Sequence, residues 1–193
     1  MIADELLHDD SGIIQIINNF HKGLSFDMED LLNNLDLRQE SIRLFGKTVL
    51  QPRLSRFYAD EGVSYTYSQQ LFTGTSWTEE LHELKRKSEE IAQIEFNSAL
   101  INYYRNGQDS MGLHADNETE LGKNPVIASV NFGASRKMVF RKTGTKEKFE
   151  VILHHGDLLI MSGALQHNWK HEIPKQRTIT EPRLNVTFRK VFR

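Results

Sequence analysis

Two histidines and one aspartate in the second half of the chain have the right chemistry to bind a metal ion. His114 and Asp116 are separated by one residue, and His171 follows far downstream. Side chains two positions apart on an extended segment point to the same side, so His114 and Asp116 could reach one ion. Two imidazoles and a carboxylate are typical of a mononuclear non-haem iron centre with open coordination positions. This pattern predicts oxygenase chemistry.

The residues alone leave other interpretations of these ligands open. A His-X-Asp pair is by itself a weak signal, and His154, His155 and His167 compete with His171 for the distal position. His171 is favoured because an arginine-rich segment follows it closely. A zinc hydrolase could use the same three ligands.

Two arginines near the C-terminus could bind an acidic co-substrate. Arg183 and Arg189 lie six positions apart on a predicted strand and therefore face the same side, together with Asn185 and Thr187. Inward arginines are costly unless they meet acids, and a dicarboxylate would supply that partner. The alternative is an outward basic face on an edge strand.

The elements that must position these residues are mostly strands. Alternating or β-branched segments predict strands at 12–17, 41–45, 62–67, 98–104, 126–132, 137–141, 149–154, 158–161 and 183–189. Ser25 is predicted to cap a helix over 26–35, and a capping-box pattern at 76–79 to begin a second helix. Short strands separated by turns, preceded by helices, predict an α+β fold with a jelly roll and flanking N-terminal helices.

Composition narrows the class of protein. The 193 residues contain no cysteine, which excludes disulfides and thiolate metal sites. We expect neither a signal peptide nor a membrane span, and hence a cytoplasmic protein. Residues 1–40 hold nine acids against Lys22 and Arg38, whereas the remainder holds 17 acids and 22 bases. A basic catalytic body with an acidic N-terminal segment is compatible with an anionic polymer as a partner.

Several linked motifs in order resemble the AlkB-type Fe(II)/2-oxoglutarate-dependent dioxygenases, and most of all their duplex-DNA-repair branch. They are NYYRNG (102–107), DSMGLHADNE (109–118), IASVNFG (127–133), GDLLIMSG (156–163), HNWKH (167–171) and PRLNVTFR (182–189). The resemblance covers roughly residues 40–192. It implies a double-stranded β-helix (a jelly roll) over 41–193, with a nucleotide-recognition segment at about 41–75 and residues 1–40 packed on the core.

The resemblance also implies roles for individual residues. His114, Asp116 and His171 match the Fe(II) ligands. Five residues match the 2-oxoglutarate contacts: Asn102, Tyr104, Arg183, Asn185 and Arg189.

Substrate contacts are implied in the first part of the match. Phe45 lies in a segment similar to a finger hairpin, and Tyr67 is the candidate for stacking on a flipped base. The other implied contacts are Arg53, Tyr65, Thr66, Asn117 and Glu118. Further basic residues, among them Arg56, Arg136, Lys137 and Lys142, are expected to meet the phosphate backbone.

The implied activity is oxidative demethylation of 1-methyladenine and 3-methylcytosine in single- or double-stranded DNA. It would use Fe(II), 2-oxoglutarate and O₂ and release formaldehyde and succinate, and we expect a monomer. Departures occur at Asn117, where many members have an acid, and at Leu113, where many have Trp. The alternatives are a demethylase of RNA or protein, and a jelly-roll binding module that holds a metal.

Overall fold

The structure is a computed structural model that describes residues 3–44, 47–67 and 70–192, with the side chains of 42–44, 47, 65–67 and 70–73 excepted. Its strands are β1 (Ala3–Asp9), β2 (Gly12–Ile17), β3 (Ser41–Leu44), β4 (Lys47–Leu50), β5 (Leu54–Ala59), β6 (Ser64–Tyr67), β7 (Gln70–Thr73), β8 (Ser98–Tyr104), β9 (Met111–His114), β10 (Ile127–Gly133), β11 (Arg136–Lys142), β12 (Lys148–Leu153), β13 (Leu158–Ser162), β14 (Trp169–Ile173) and β15 (Arg183–Arg189). Its α-helices are α1 (Met28–Asn33), α2 (Glu79–Ala92) and α3 (Leu165–Asn168), and 3₁₀ turns lie at Phe20–Gly23 and Thr119–Leu121.

The strands form a two-layer sandwich. The larger sheet has the order β1-β2-β13-β10-β15-β8-β5, and the smaller sheet has the order β12-β11-β14-β9. All strand pairs in both sheets are antiparallel. Two separate hairpins, β3–β4 and β6–β7, precede α2. This architecture confirms the predicted jelly roll.

Two apolar cores lie on opposite sides of the larger sheet. Between the two sheets, Phe140 and Trp169 pack with Ile127 and Leu159. On the other side of the larger sheet, a second core holds these side chains of β15 and α2: Leu184, Val186, Phe188, Leu81 and Leu84. Because one face of β15 is committed to the helical core, its polar residues must face the sandwich interior.

The helices begin slightly later than predicted. Asp27, and not Ser25, caps α1: its carboxylate accepts from the backbone N–H groups of Glu29 and Asp30 at 2.7 and 3.1 Å. Asp30 accepts in return from the Asp27 N–H at 3.0 Å, which completes a capping box. Ser25 is instead bound to the Glu83 carboxylate of α2. The cap of α2 is Thr78, which accepts from the Leu81 N–H at 3.3 Å.

The N-terminal segment is part of the sandwich. β2 is paired on one side with β1 and on the other with β13, so residues 12–17 lie within the larger sheet. The division of the chain at residue 40 stays a prediction. No helix in the described ranges is both long and apolar enough to cross a membrane.

The turn after β8 is held against the segment that leads into β15. Gly107 donates its N–H to the Ile179 carbonyl at 2.8 Å and accepts from the Gln176 N–H at 2.9 Å. A Cβ at Gly107 would lie only 1.8 Å from the Gln176 carbonyl oxygen, whereas a Cβ at Gly112 would meet nothing within 4 Å. The backbone of this contact therefore requires glycine at 107.

We expect Gly107→Ala to lower the free energy of unfolding by about 1–3 kcal/mol, because the backbone must move to accept the methyl group. Gly112→Ala is the matched control and should be close to neutral. Thermal unfolding of both variants measures the difference. Equal melting temperatures for the two variants would contradict the contact at Gly107.

Candidate active site

The three predicted metal ligands meet at one point inside the sandwich. The ligand atoms of His114, Asp116 and His171 all lie within 4.8 Å of one another. Strand pairing brings two of them together, because His171 of β14 lies opposite His114 of β9. Asp116 comes from the loop that follows β9. This cluster is the only group of three or more potential metal ligands among the described residues.

The protonation states of the cluster suit a divalent cation. Burial lowers the pKa of His171 to about 3, with the neighbouring His114 adding to the effect. Burial also lowers the pKa of His114. For Asp116, burial would raise the pKa, but Arg189 and the two imidazoles outweigh it and bring the value to about 2. At neutral pH the site therefore holds two neutral imidazoles and one carboxylate.

Hydrogen bonds orient two of these ligands. The Nδ1 of His114 lies 2.8 Å from the Gly112 carbonyl oxygen. Since a carbonyl can only accept, Nδ1 carries the proton and Nε2 presents its lone pair toward Asp116. Arg189 donates from Nη2 to Asp116 Oδ2 at 2.8 Å. Asp116 Oδ1 is buried and has no hydrogen-bond partner among the described residues, so an Fe(II) ion at this point would supply the missing contact.

The second arginine marks the other end of the pocket. Arg183 is 2% exposed, donates from Nη2 to Asn131 Oδ1, and lies with its guanidinium carbon 5.0 Å from the Tyr104 ring centre. In the part of the chain that the structure describes, its Nε and Nη1 have no hydrogen-bond partner. Burial lowers the pKa of Arg183 to about 10, so the side chain remains a cation. A bound carboxylate would pair with these two N–H groups.

The residues between the two ends line a shared pocket, as the alternation of β15 predicts. Asn185 lies opposite Asn102 of β8, and Arg183 lies opposite Tyr104. The pocket is lined by Asn102, Tyr104, Arg183, Asn185, Thr187, Arg189 and the metal ligands, together with Ser129 and four apolar side chains, Met111, Met138, Met161 and Ile173. The predicted metal and co-substrate residues therefore come together, although their roles stay predictions.

Two polar residues of β10 at the pocket were missed in the sequence. Ser129 Oγ accepts from Asn185 Nδ2 at 2.8 Å, and Asn131 Oδ1 accepts from Arg183. The sequence contains a pattern that could have identified them, since the two polar residues are two positions apart on an otherwise apolar strand. In the structure they lie opposite Thr187 and Asn185. A polar pair of this parity indicates a polar partner across the sheet.

Arg136 is not a phosphate contact, contrary to the prediction. It is 1% exposed, and its guanidinium donates to the backbone carbonyls of Asp109 and Pro174 at 2.9 and 2.8 Å. Its guanidinium carbon lies 5.5 Å from the Tyr104 ring centre. Tyr104 therefore contacts two buried cations, Arg136 and Arg183. The role of Arg136 is to join the loops at this end of the pocket.

The predicted substrate residues are placed in part. Arg53 is buried, and its Nε donates to Asn102 Oδ1 at 2.6 Å. Asn117 is exposed beside the metal ligands, and Glu118 is half-buried next to it. Phe45 and the side chains of Tyr65, Thr66 and Tyr67 lie outside the described residues, so their contacts with a substrate stay predictions.

Gln166 of α3 holds the backbone of the carboxylate ligand. Its Oε1 accepts from the Asp116 N–H at 2.9 Å, and its side chain is buried with the residue 2% exposed. Its Nε2 lies 3.8 Å from Met161 Sδ. No sequence motif marks this residue as functional, because its partner is a backbone group that only the tertiary structure brings near.

We expect Gln166→Leu to weaken Mn(II) binding by about 10–100-fold, the range typical of groups that orient metal ligands. The Asp116 N–H would lose its acceptor, and the carboxylate would lose its fixed direction. Titration calorimetry with Mn(II) measures this without turnover. Asn168→Leu is the control, since it removes an amide from the same helix that donates to the Ser11 and Ala164 carbonyls and does not line the pocket. Equal Mn(II) affinities for both variants would show that Gln166 has no such role.

Comparison with known proteins agrees with the site. A family model described as "2OG-Fe(II) oxygenase superfamily" matches residues 21–189. The human protein "Alpha-ketoglutarate-dependent dioxygenase alkB homolog 3" is 38% identical over 175 residues, which are 86% of this chain and 60% of the human one. The mouse protein "DNA oxidative demethylase ALKBH2" is 36% identical over 159 residues, 78% of this chain and 66% of the mouse one.

A solved structure supports the fold. "The structure of OsALKBH1" superposes with a TM-score of 0.66 at 14% identity and covers 97% of this chain and 100% of that one. The chain spans about 60% of the length of the human relative. The resemblance to AlkB-type dioxygenases predicted from the motifs is confirmed by these relatives. From the family match and the pocket geometry together, the chain belongs to the 2OG-Fe(II) oxygenase superfamily.

Proposed function

We propose that this chain catalyses the oxidative demethylation of N-alkylated bases, 1-methyladenine and 3-methylcytosine, in DNA. The observation that supports this most is a two-histidine, one-carboxylate cluster in the same pocket as a buried arginine whose Nε and Nη1 have no hydrogen-bond partner among the described residues. A relative whose printed name is a DNA oxidative demethylase adds the substrate class.

His114, Asp116 and His171 would hold Fe(II), which when bound would supply the chemistry that couples oxidation of an N-methyl group by O₂ to decarboxylation of 2-oxoglutarate. The protein's own residues orient the reactants. Arg183 would pair with the distal carboxylate of 2-oxoglutarate, and Asn102 and Tyr104 line the same pocket. The methionines and Ile173 that line the pocket would lower the local dielectric around the ligands, which would strengthen these electrostatic contacts.

The substrate base would have to leave the duplex, because its Watson–Crick edge carries the methyl group. A methylated base pairs poorly and costs less to extrude, which favours damaged over normal bases. Tyr67 would stack on the extruded base, and Glu118 would face its positive charge. Neutral Asn117 in place of an acid should reduce the attraction for cationic bases. Monomeric state and cytoplasmic location stay predictions.

The test of this function is a substrate panel. The chain loaded with Fe(II) and 2-oxoglutarate should release formaldehyde from 1-methyladenine and 3-methylcytosine in single- and double-stranded DNA. Matched RNA strands and a methylated peptide form the alternative arms, and His171→Ala is the inactive control. Demethylation of RNA or peptide alone would replace DNA as the substrate. No release from any methylated substrate would refute the proposal.

A separate prediction concerns Arg183. Arg183→Met should raise the half-saturating 2-oxoglutarate concentration by about thirtyfold or more, because loss of one partner of a buried charge pair costs about 2 kcal/mol or more. The preference for 2-oxoglutarate over 2-oxobutyrate, which lacks the distal carboxylate, should fall by a similar factor. Steady-state kinetics with both acids measure this. Arg86→Met, on the exposed side of α2, is the control, and an unchanged preference in Arg183→Met would contradict the assignment.

A further inference from the structure

Three basic residues lie side by side on neighbouring strands, on the outer face of the smaller sheet. Arg141 of β11 lies opposite Lys148 of β12 on one side and opposite Lys170 of β14 on the other. All three residues are exposed, while their strand neighbours Phe140, Phe149 and His171 face the interior. We call Lys148, Arg141 and Lys170 the cationic row.

Without a bound partner, repulsion within the cationic row destabilises the smaller sheet. Like charges directly opposite each other on neighbouring strands destabilise a sheet. Arg141 has a partner, since its Nε and Nη2 donate to Glu172 Oε1 at 3.1 and 2.9 Å. For Lys148 and Lys170, no ion pair occurs within the ranges that the structure describes.

The nearby acids are engaged by other cations. Glu150, next to Lys148 on the same face, pairs with Lys137 at 2.7 Å, and Glu147 pairs with Lys142 at 3.1 Å. With Glu172 bound to Arg141, each of these three acids has its own basic partner. The row therefore carries an excess of positive charge that an anionic partner would offset.

The row lies next to the metal site along the strands. The adjacent row of residues runs Phe149, Phe140, His171 and His114 across four strands. It ends in two of the metal ligands and faces the interior. Successive residues of a strand are about 3.3 Å apart. The cationic row therefore runs parallel to the row that contains the ligands, one residue away along the strands and on the opposite face of the sheet.

We propose that the cationic row binds consecutive phosphates of the single strand that flanks the base at the active site. This inference rests on the proposed function and extends it to the path of the substrate. Neighbouring strands are about 4.8 Å apart, so the row spans roughly 10 Å and its long side chains can adjust to the phosphate spacing. Phosphate contacts position a strand without reading its sequence, so DNA and RNA are both suitable in this respect.

The experiment uses the full chain loaded with Mn(II), and the double variant Lys148→Ala, Lys170→Ala. Binding of an unmethylated strand of about 16 nucleotides is measured over a range of salt concentrations. The slope of log K against log salt should fall by about 1.4, because each single-strand phosphate contact contributes about 0.7. The control is Arg86→Ala, Lys87→Ala, which makes the same charge change on α2 beyond the larger sheet and should leave the slope unchanged.

Strand length separates this inference from the proposed function. Turnover of a methylated trinucleotide, which has too few phosphates to occupy the row, should be the same in the double variant and the unmodified chain, whereas KM for the long strand should rise. Equal salt slopes in the double variant and the control would contradict the proposal that the cationic row binds the strand. The proposal would also be wrong if the double variant lost binding to phosphatidylserine vesicles but bound the long strand as well as the unmodified chain does. Absence of turnover on every strand would instead refute the proposed function while the slopes still test the row.

Discussion

A buried carboxylate with only one hydrogen-bonded oxygen among the described residues is the constraint around which this structure is arranged. Asp116 stays ionised in the interior because Arg189 donates to Oδ2, while Oδ1 has no hydrogen-bond partner among the described residues and lies 3.8 Å from His114 Nε2. Burial of an isolated charge of this kind destabilises the folded protein. The site therefore depends on Arg189 and the two imidazoles, which stabilise the charge, and on Gln166, which holds the Asp116 backbone. Removal of any of them would alter the charge or the direction of the carboxylate.

One strand supplies both ends of the pocket. β15 carries Arg189 beside the candidate metal ligands and Arg183 at the end where the co-substrate is proposed to bind, and its alternate residues are fixed in the core against α2. A slip of one residue in register would move both arginines into that apolar core. The helical layer, far from the chemistry, therefore determines which way the arginines face. Arg136 stabilises the same end through backbone carbonyls and through Tyr104.

The two sheets carry different parts of the candidate site. The larger sheet carries the arginines and amides that line the pocket, and the smaller sheet carries His114 and His171 on its inner face and the cationic row on its outer face. Because side chains alternate along a strand, one row of β14 can hold a metal ligand while the next row meets solvent. A single sheet thus presents the ligand cluster to the interior and a positively charged surface to solvent.

The sequence by itself determined the His114-X-Asp116 pair, the common face of Arg183, Asn185 and Arg189, and the jelly-roll class, because these depend on residue type and on the period of two in a strand. It left three other histidines open as alternatives to His171, and strand pairing brings His171 to the pair. Helix starts were less well determined, since Ser25 and Asp27 are both good caps and only the contact of Ser25 with Glu83 separates them. The tertiary structure alone decided the roles of Gln166 and Arg136. Both side chains hydrogen-bond to backbone groups that are distant in the chain. The pattern of side chains along the sequence does not indicate which backbone groups will lie near them.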